Sequence, residues 1–491
     1  MSVFSWAKKI FKKTNNEPHR ANERPVHHHP KAGNRPPEHR SAEHRPARAE
    51  HRPAPRPPMV VEADSPHAVY VRREDHALSR KLIAPEALKV LYRLNESGYI
   101  AYLVGGGVRD LLLGRKPKDF DVGTNAHPYE IKQLFRQCYI VGRRFRLAHV
   151  RFGLKVIETS TFRRDPQPQD AGDEEDLYQH RDNTYGSPME DAYRRDFTIN
   201  ALFYDIRTFR VIDYVGGLSD LKHRLMRCIG DPNIRFREDP VRMIRAVRLA
   251  ARLDFKIEEQ AWKSILQHHA EITKASAPRL LEEIYRLFGF RSGAPALRLM
   301  REARLLGSLL PEIEQALHHS PEPVQVSFWK HLEALDHRSH ATDDPPLPAM
   351  IWASLLFPFS VFRGLPGDGE GAHHPLQHML GPLAARFTIP KTTMFRLLDY
   401  ERVMRWFMGH HSAGAAGRVD ERTFAEARDL WHMHQQACGA GAATIPGWQE
   451  FTEQGRQTAA DSTQDPQADH RPRRRRRGGR RYRRPPNAAP G

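Results

Sequence analysis

Cysteine is scarce in this sequence: there are three, Cys138, Cys228 and Cys438, far apart and without a CxxC pair. That spacing argues against a disulfide framework or a zinc site and fits a reducing compartment. No run of about 18 apolar residues occurs, so no transmembrane helix is expected. The opening MSVFSWAKKIFKK lacks the apolar core and cleavage site of a secretory signal. The glycines at 105–107 are not followed by Gly-Lys-Ser/Thr, which excludes a Walker loop. A dinucleotide fingerprint fails as well, because Asp110 stands where its third glycine belongs. Hydrophobic residues make up only 39%, and 38 prolines indicate that part of the chain is unpacked.

What the sequence has in excess is positive charge, +18 at pH 7, which calls for a polyanionic partner: nucleic acid or an acidic membrane surface. On a helical wheel Val3, Phe4, Trp6, Ile10 and Phe11 oppose Lys8, Lys9, Lys12 and Lys13. Residues 3–13 thus fit peripheral contact with a membrane, with a frayed basic terminus as the alternative. From 14 to about 65 the chain is rich in Pro, His, Arg and Glu, EHR recurs at Glu38, Glu43 and Glu50, and His27, His28 and His29 adjoin. Such a segment cannot bury enough apolar surface to order itself. At the other end, ten arginines and no acid lie between Arg471 and Arg484. Arg473, Arg474, Arg475, Arg476, Arg477, Arg480 and Arg481 offer a sequence-independent grip on RNA phosphates, and Tyr482 a stacking contact.

Between these ends the patterns are those of packed elements. Pro85–Ser97 has helical periodicity with Gly98 as C-cap. YIAYLV reads as a strand, Val108–Leu113 as a short helix and Asp119–Val122 as a second strand. LAHVRF and KVIETSTF form a hairpin about Gly153 and Leu154. From Pro240 the pattern is helical to about Phe451, apart from residues 340–375, which are rich in Pro, Gly and His and read as loops.

The chemistry concentrates in LVGGGVRDLLLGRKPKDFDV, Leu103 to Val122. Glycines before a helix let a phosphate approach backbone N–H groups, although a plain tight turn explains them equally well. In a strand, Asp119 and Asp121 share a face while Phe120 points into a core. Adjacent carboxylates repel, and a divalent cation, Mg²⁺ or Mn²⁺, offsets that repulsion; a solvated strand face is the alternative. Glu158, on a neighbouring strand, would supply a third carboxylate and room for a second metal.

This segment resembles the first motif of the class II nucleotidyltransferases, the family of poly(A) polymerases and CCA-adding enzymes. RRDFTINALFYD, Arg194 to Asp205, resembles the second, and EDPVRMIRAVR, Glu238 to Arg248, resembles the base-reading motif. The resemblance makes Asp119 and Asp121 metal ligands and adds Asp196 as a catalytic acid, with Glu158 the other candidate to complete the carboxylate set. It implies a nucleotide site of Gly105, Gly106, Arg109, Asp110, Arg195, Asp196, Asn200, Asp239, Arg242, Arg245 and Arg248. VGRRFRLAHVRF, Val141 to Phe152, looks like the polymerase signature, with Arg143 and Arg144 toward RNA. Gly123 departs from a Thr often found there.

The implied fold is α+β: a small mixed-sheet nucleotidyltransferase head, then an all-helical neck and body, with disordered N- and C-terminal segments. Its divisions are a basic segment 1–78, a catalytic palm 79–215, a neck 216–275, a body 276–455 and an Arg-rich tail 456–491. The implied activity is template-independent addition of AMP from ATP to RNA 3′ ends by two-metal chemistry, serving mRNA processing and turnover. Its partners are RNA 3′ ends, ATP and other RNA-processing or RNA-decay proteins. The expected location is cytoplasmic, touching the inner membrane face through residues 3–13. A CCA-adding enzyme and a catalytically inactive RNA-binding protein remain the alternatives.

Overall fold

A computed structural model describes residues 68–142, 146–165, 184–342, 345–362, 375–409, 419–439 and 447–453. Residues 3–13, His27–His29, Arg143, Arg144 and the arginines from Arg473 to Arg481 lie outside the described residues. The chain divides into two compact units, one of residues 1–283 with 295–309, the other of 284–294 with 310–491.

The first unit is built on an eight-stranded sheet in the order β1-β8-β7-β2-β3-β6-β5-β4. In chain order its elements are β1 (Val69–Val71), α1 (Pro85–Glu96), β2 (Ala101–Val104), α2 (Gly106–Leu112), β3 (Asp121–Thr124), α3 (Pro128–Leu134), β4 (Cys138–Val141), β5 (Leu147–Phe152), β6 (Lys155–Thr161), α4 (Pro188–Tyr193), β7 (Leu202–Asp205) and β8 (Arg210–Asp213). Only β3 and β6 pair parallel; the other neighbours in this sheet are antiparallel. There follow α5 (Gly217–Lys222), β9 (Leu225–Met226), α6 (Pro232–Glu238), α7 (Val241–Leu253), β10 (Lys256–Ile257) and α8 (Glu259–His268). The mixed-sheet head followed by helices is therefore the observed architecture.

The local causes are plain. α1 buries Ala87, Val90, Leu91 and Leu94, the i, i+3, i+4, i+7 set of one helix face, and Gly98 takes φ 90° just beyond its end. β2 is buried throughout, as a central strand must be. The β5–β6 hairpin turns at Gly153 (φ 62°) and Leu154.

Five expectations need correction. The second strand starts at Asp121, not Asp119, because β2 ends in register at Val104 opposite Asp121 and Gly105 then turns away at φ 72°, leaving residues 119–120 without a partner. Phe120 is accordingly half-buried beside Gly107 rather than in a core. The helix after the glycines begins at Gly106, two residues early. Residues 68–78 are not part of a disordered segment: β1 pairs antiparallel with β8, Val71 opposite Val211.

The fifth correction falls in the second unit. After α9 (Ala277–Leu287), α10 (Gly293–Glu302) and α11 (Leu305–Leu309) the helices are α12 (Pro311–His319), α13 (Glu322–Thr342), α14 (Pro348–Ser360), α15 (Pro375–Phe387), α16 (Lys391–Phe407) and α17 (Glu421–Cys438). Residues 348–360, expected as loop, form α14, buried from Ala349 to Ser360 with Trp352 and Phe357 wholly enclosed. Its apolar run has no polar stripe to mark a period, and a helix apolar all round is a central one. Among the described residues no helix is long and apolar enough to cross a membrane.

One face of the sheet is filled on one side by Tyr102, Val104, Phe162, Phe203, Ile212 and Tyr214. That packing explains Gly123: a Cβ there would stand 2.6 Å from the Phe162 ring and 3.0 Å from Val104. Gly123→Ala should therefore cost about 1–3 kcal/mol, read as a lowered melting temperature, with Phe162→Leu partly relieving it in the double variant.

Candidate active site

Asp121 opens β3 at the edge of that packed region, where the same sheet face becomes open. β3 runs beside β6 with Val122 opposite Thr159, so one residue back along both strands Asp121 and Glu158 share a face. Burial pushes the Asp121 carboxyl up to about 6; the charges of Glu158 and Asp119 push the same way, against Arg195. A carboxylate crowded by two others is a donor that gains from a cation. Asp119 itself is exposed and lies ahead of the strand.

Glu158 is only loosely drawn in. Its side chain is more than half exposed and stands 3.7 Å from His149 Nε2. Among the described residues no group of three His, Cys, Asp or Glu is poised to hold a metal ion. The expected metal set Asp119, Asp121 and Glu158 is thus not pre-assembled, because Asp119 leaves the strand geometry and Glu158 leans to His149. The Asp119–Asp121 pair still fits Mg²⁺, which accepts one or two carboxylates and completes its shell with water and phosphate oxygens.

Across from these acids sits the RRD loop. Arg195 donates from Nε and Nη2 to Asp191 Oδ2 (3.0 and 2.8 Å) and from Nη1 to the Asn200 carbonyl (3.2 Å). A Cβ at Gly105 would lie 3.1 Å from that Nη1, so Gly105 admits the guanidinium to the loop backbone as well as supplying the turn. At seven residues, α2 is only about two turns long and aligns few peptide dipoles. The positive charge over the glycines is therefore Arg195 more than a helix terminus.

Asn200 links the parts. Its side-chain oxygen accepts from Arg109 Nη1 (2.5 Å) and its amide nitrogen donates to Asp196 Oδ1 (3.1 Å). Asp196 Oδ1 also accepts from the Phe197 N–H (2.8 Å), and Oδ2 accepts from Arg245 Nε (2.9 Å) and Nη2 (2.5 Å). Burial alone would raise this carboxyl, but the Arg245 charge, then the hydrogen bonds from Arg245, Asn200 and Phe197, outweigh it and hold it at about 2. Both oxygens of Asp196 are engaged and its partner is a guanidinium. The carboxylates that act on Asp121 are Glu158 and Asp119, whereas Asp196 is turned to Arg245.

The remaining candidates fall into two groups. Asp110 is buried between Arg109 (2.7 Å) and Arg252 (2.7 Å), and Arg248 is buried on Glu283 (2.8 Å), which also meets Arg245 at 3.4 Å. Asp110 and Arg248 thus have their charges met within the protein, where they brace the residues around the glycine loop. Gly106 faces Arg109, Arg242 donates to the Arg235 carbonyl (3.0 Å) and to Glu238, and Asp239 accepts from Arg279 (2.7 Å).

Four residues of the network escaped the sequence reading. Asp191 was legible in EDAYRRD, four residues ahead of Arg195 on one helical turn. Arg235, whose Nη2 donates to the carbonyls of Arg194 (2.7 Å) and Arg195 (3.1 Å), and Arg252 and Glu283 come from separate elements, with no local spacing to reveal them.

Comparison with known proteins matches residues 101–227 to the poly A polymerase head domain and 254–317 to a family described as the probable RNA and SrmB-binding site of polymerase A. Poly(A) polymerase I of Salmonella typhi is 50% identical over 257 residues, 50% of this chain and 54% of that protein. Poly(A) polymerase I of Escherichia coli O157:H7 is 45% identical over 300 residues, 60% of this chain and 64% of that one. A CCA-adding enzyme of Lactobacillus helveticus is 40% identical over 204 residues, 41% of this chain and 49% of it. The matches thus span roughly half to under two thirds of these relatives. The Thermotoga maritima CCA-adding enzyme, solved with tRNA, has the same fold at TM-score 0.52 and 19% identity, covering 80% of this chain and 86% of its own.

Proposed function

From a chain that belongs to the poly(A) polymerase and CCA-adding enzyme family of nucleotidyltransferases, we propose the following activity: it adds AMP from ATP to RNA 3′-hydroxyl ends and releases pyrophosphate. The observation that carries this reading is the meeting of a crowded Asp121 carboxyl with Arg195 at a glycine loop. Carboxylates for a cation and a guanidinium for phosphates, at adjacent points, are what nucleotidyl transfer needs.

A divalent cation bound at Asp119 and Asp121 would lower the pKa of the 3′-hydroxyl and shield the phosphates. The residues do the rest. Arg195, steadied by Asp191 and by the Asn200 carbonyl, faces the triphosphate with a fixed fork of donors. Gly105 and Gly106 let phosphate oxygens come close to the backbone. Asp196 and Arg245 lock Asn200, and through it Arg109, so that loop and strand keep their spacing. Asp239 and Arg242, each steadied by a neighbour, offer an acceptor and donors to the base edge, where a wrong base would leave a polar group unpaired. As the 3′-oxygen bonds to the α-phosphorus, the bond from that phosphorus to the leaving pyrophosphate breaks.

The CCA-adding reading is the second, favoured by the 40% identity of the Lactobacillus helveticus enzyme. The higher identity of the polymerases and the sequence VGRRFRLAHVRF support the first. Incubation with labelled ATP or CTP, Mg²⁺, and either an unstructured RNA or a tRNA lacking its 3′ end separates them. Long ATP-dependent tails on the unstructured RNA are expected. CTP incorporation confined to tRNA would replace the first reading with the second, and RNA binding without any extension would remove both.

A further inference from the structure

The sheet face that carries Asp121 does not stop at Glu158. Cross-strand register sets His149 opposite Glu158 and Tyr139 opposite His149, so that one row runs from Asp121 across β6 and β5 to the edge strand β4. Three strand spacings make that row roughly 14 Å long. On the far face the alternate residues Cys138, Ala148, Val150, Ile157 and Thr159 are buried, and α3 packs against β4 and β5. On the near face Tyr139 is 55% exposed, Val156 is 43% exposed and Arg151, opposite Val156, is exposed.

An aromatic ring, an apolar side chain and a guanidinium on one open face are what single-stranded RNA uses: bases stack on the ring and phosphates meet the cation. We propose that this outer face of β4, β5 and β6 is the track on which the last nucleotides of the RNA lie, Tyr139 stacking a base upstream of the 3′ end and Arg151 meeting a phosphate. The occupant follows from continuity and charge. The row leads directly to Asp121, and a chain of net charge +18 attracts a polyanion. The two acids of the row, Asp121 and Glu158, stand together at its inner end, where the 3′-hydroxyl rather than a phosphate would arrive. The inference rests on the proposed RNA substrate and specifies where it lies.

The test uses the full chain and binding rather than turnover. Equilibrium binding of a fluorescent unstructured RNA is measured for the wild type, Tyr139→Ala, Tyr139→Phe, Arg151→Ala and Tyr129→Ala, the last an equally exposed tyrosine on α3. Tyr139→Ala should weaken binding about tenfold, within the range of one lost base stack, while Tyr139→Phe and Tyr129→Ala leave it unchanged. Arg151→Ala should flatten the log–log salt dependence by about 0.7. An RNA with 5-iodouridine near its 3′ end should photocrosslink to Tyr139. Unchanged affinity in Tyr139→Ala with crosslinking elsewhere would overturn the track. If the wild type bound RNA through Tyr139 but added no nucleotide, the catalytic reading would fail and the track would stand.

Discussion

Asp121→Asn abolishes nucleotide addition, by about a thousandfold or more, and leaves the fold intact or firmer. The loss follows from the several kcal/mol that a metal-assisted step draws on its carboxylate ligands. The stability has the opposite sign because the native site raises this carboxyl to about 6, from an ordinary value of 3.8. A group raised on folding contributes its stability below its unfolded pKa and loses it as pH rises through the folded value. Between pH 4 and pH 7, with no divalent ion present, the wild type should therefore lose up to ~3 kcal/mol relative to Asp121→Asn. Adding Mg²⁺ should raise the wild-type melting temperature at pH 7.5 and not that of the variant. Thermal melts across pH, with and without the ion, check all three statements. A variant that tails RNA at the wild-type rate would remove Asp121 from the site.

Asp196→Ala does both kinds of damage at once. This carboxyl is held at about 2 by Arg245 and two further donors, against its burial. Its removal leaves Arg245 without its principal counter-charge, and loss of one partner of a buried pair costs about 3–5 kcal/mol. The melting temperature should fall by roughly 6–15 °C. Asn200 loses an acceptor as well, and a displacement of about 1 Å in the loop under Arg195 is enough to slow addition about a hundredfold. A lowered carboxyl contributes stability above its unfolded pKa and loses it as pH falls through the folded value. The deficit of Asp196→Ala should hold at pH 4 and above and shrink between pH 4 and pH 2. Two aspartates of one site thus respond to pH in opposite senses. A variant with wild-type stability but no activity would instead make Asp196 a direct participant.

How far the sequence disclosed this site depends on the range over which each interaction acts. The β5–β6 hairpin, β2 and α1 were legible because alternation, glycine and helical spacing are local. Asp119 and Asp121 were legible as a pair, but their geometry was not: the strand begins only where β2 offers Asp121 a partner, which no residue of DFDV encodes. Asp191 could be read four residues from Arg195. Glu283 could not, since it reaches Arg245 and Arg248 from α9. Helix α14 was hidden by its flanks, where proline, glycine and histidine gave a loop composition to a run whose own residues are buried. The resemblance of three motifs joined distant parts that periodicity alone kept apart. It did not disclose that the charges of Asp110 and Arg248 are met inside the protein, by Arg252 and Glu283.

Asp121 is proposed as the carboxylate around which a divalent cation gathers beside Arg195. Titration of Mn²⁺ into the wild type and Asp121→Asn, followed by electron paramagnetic resonance at pH 7.5 with and without ATP, measures this without turnover. Mn²⁺ should bind the wild type, more tightly with ATP present, and bind the variant at least tenfold more weakly, a difference of about 1.4 kcal/mol or more. Equal Mn²⁺ affinity in the two proteins would contradict it.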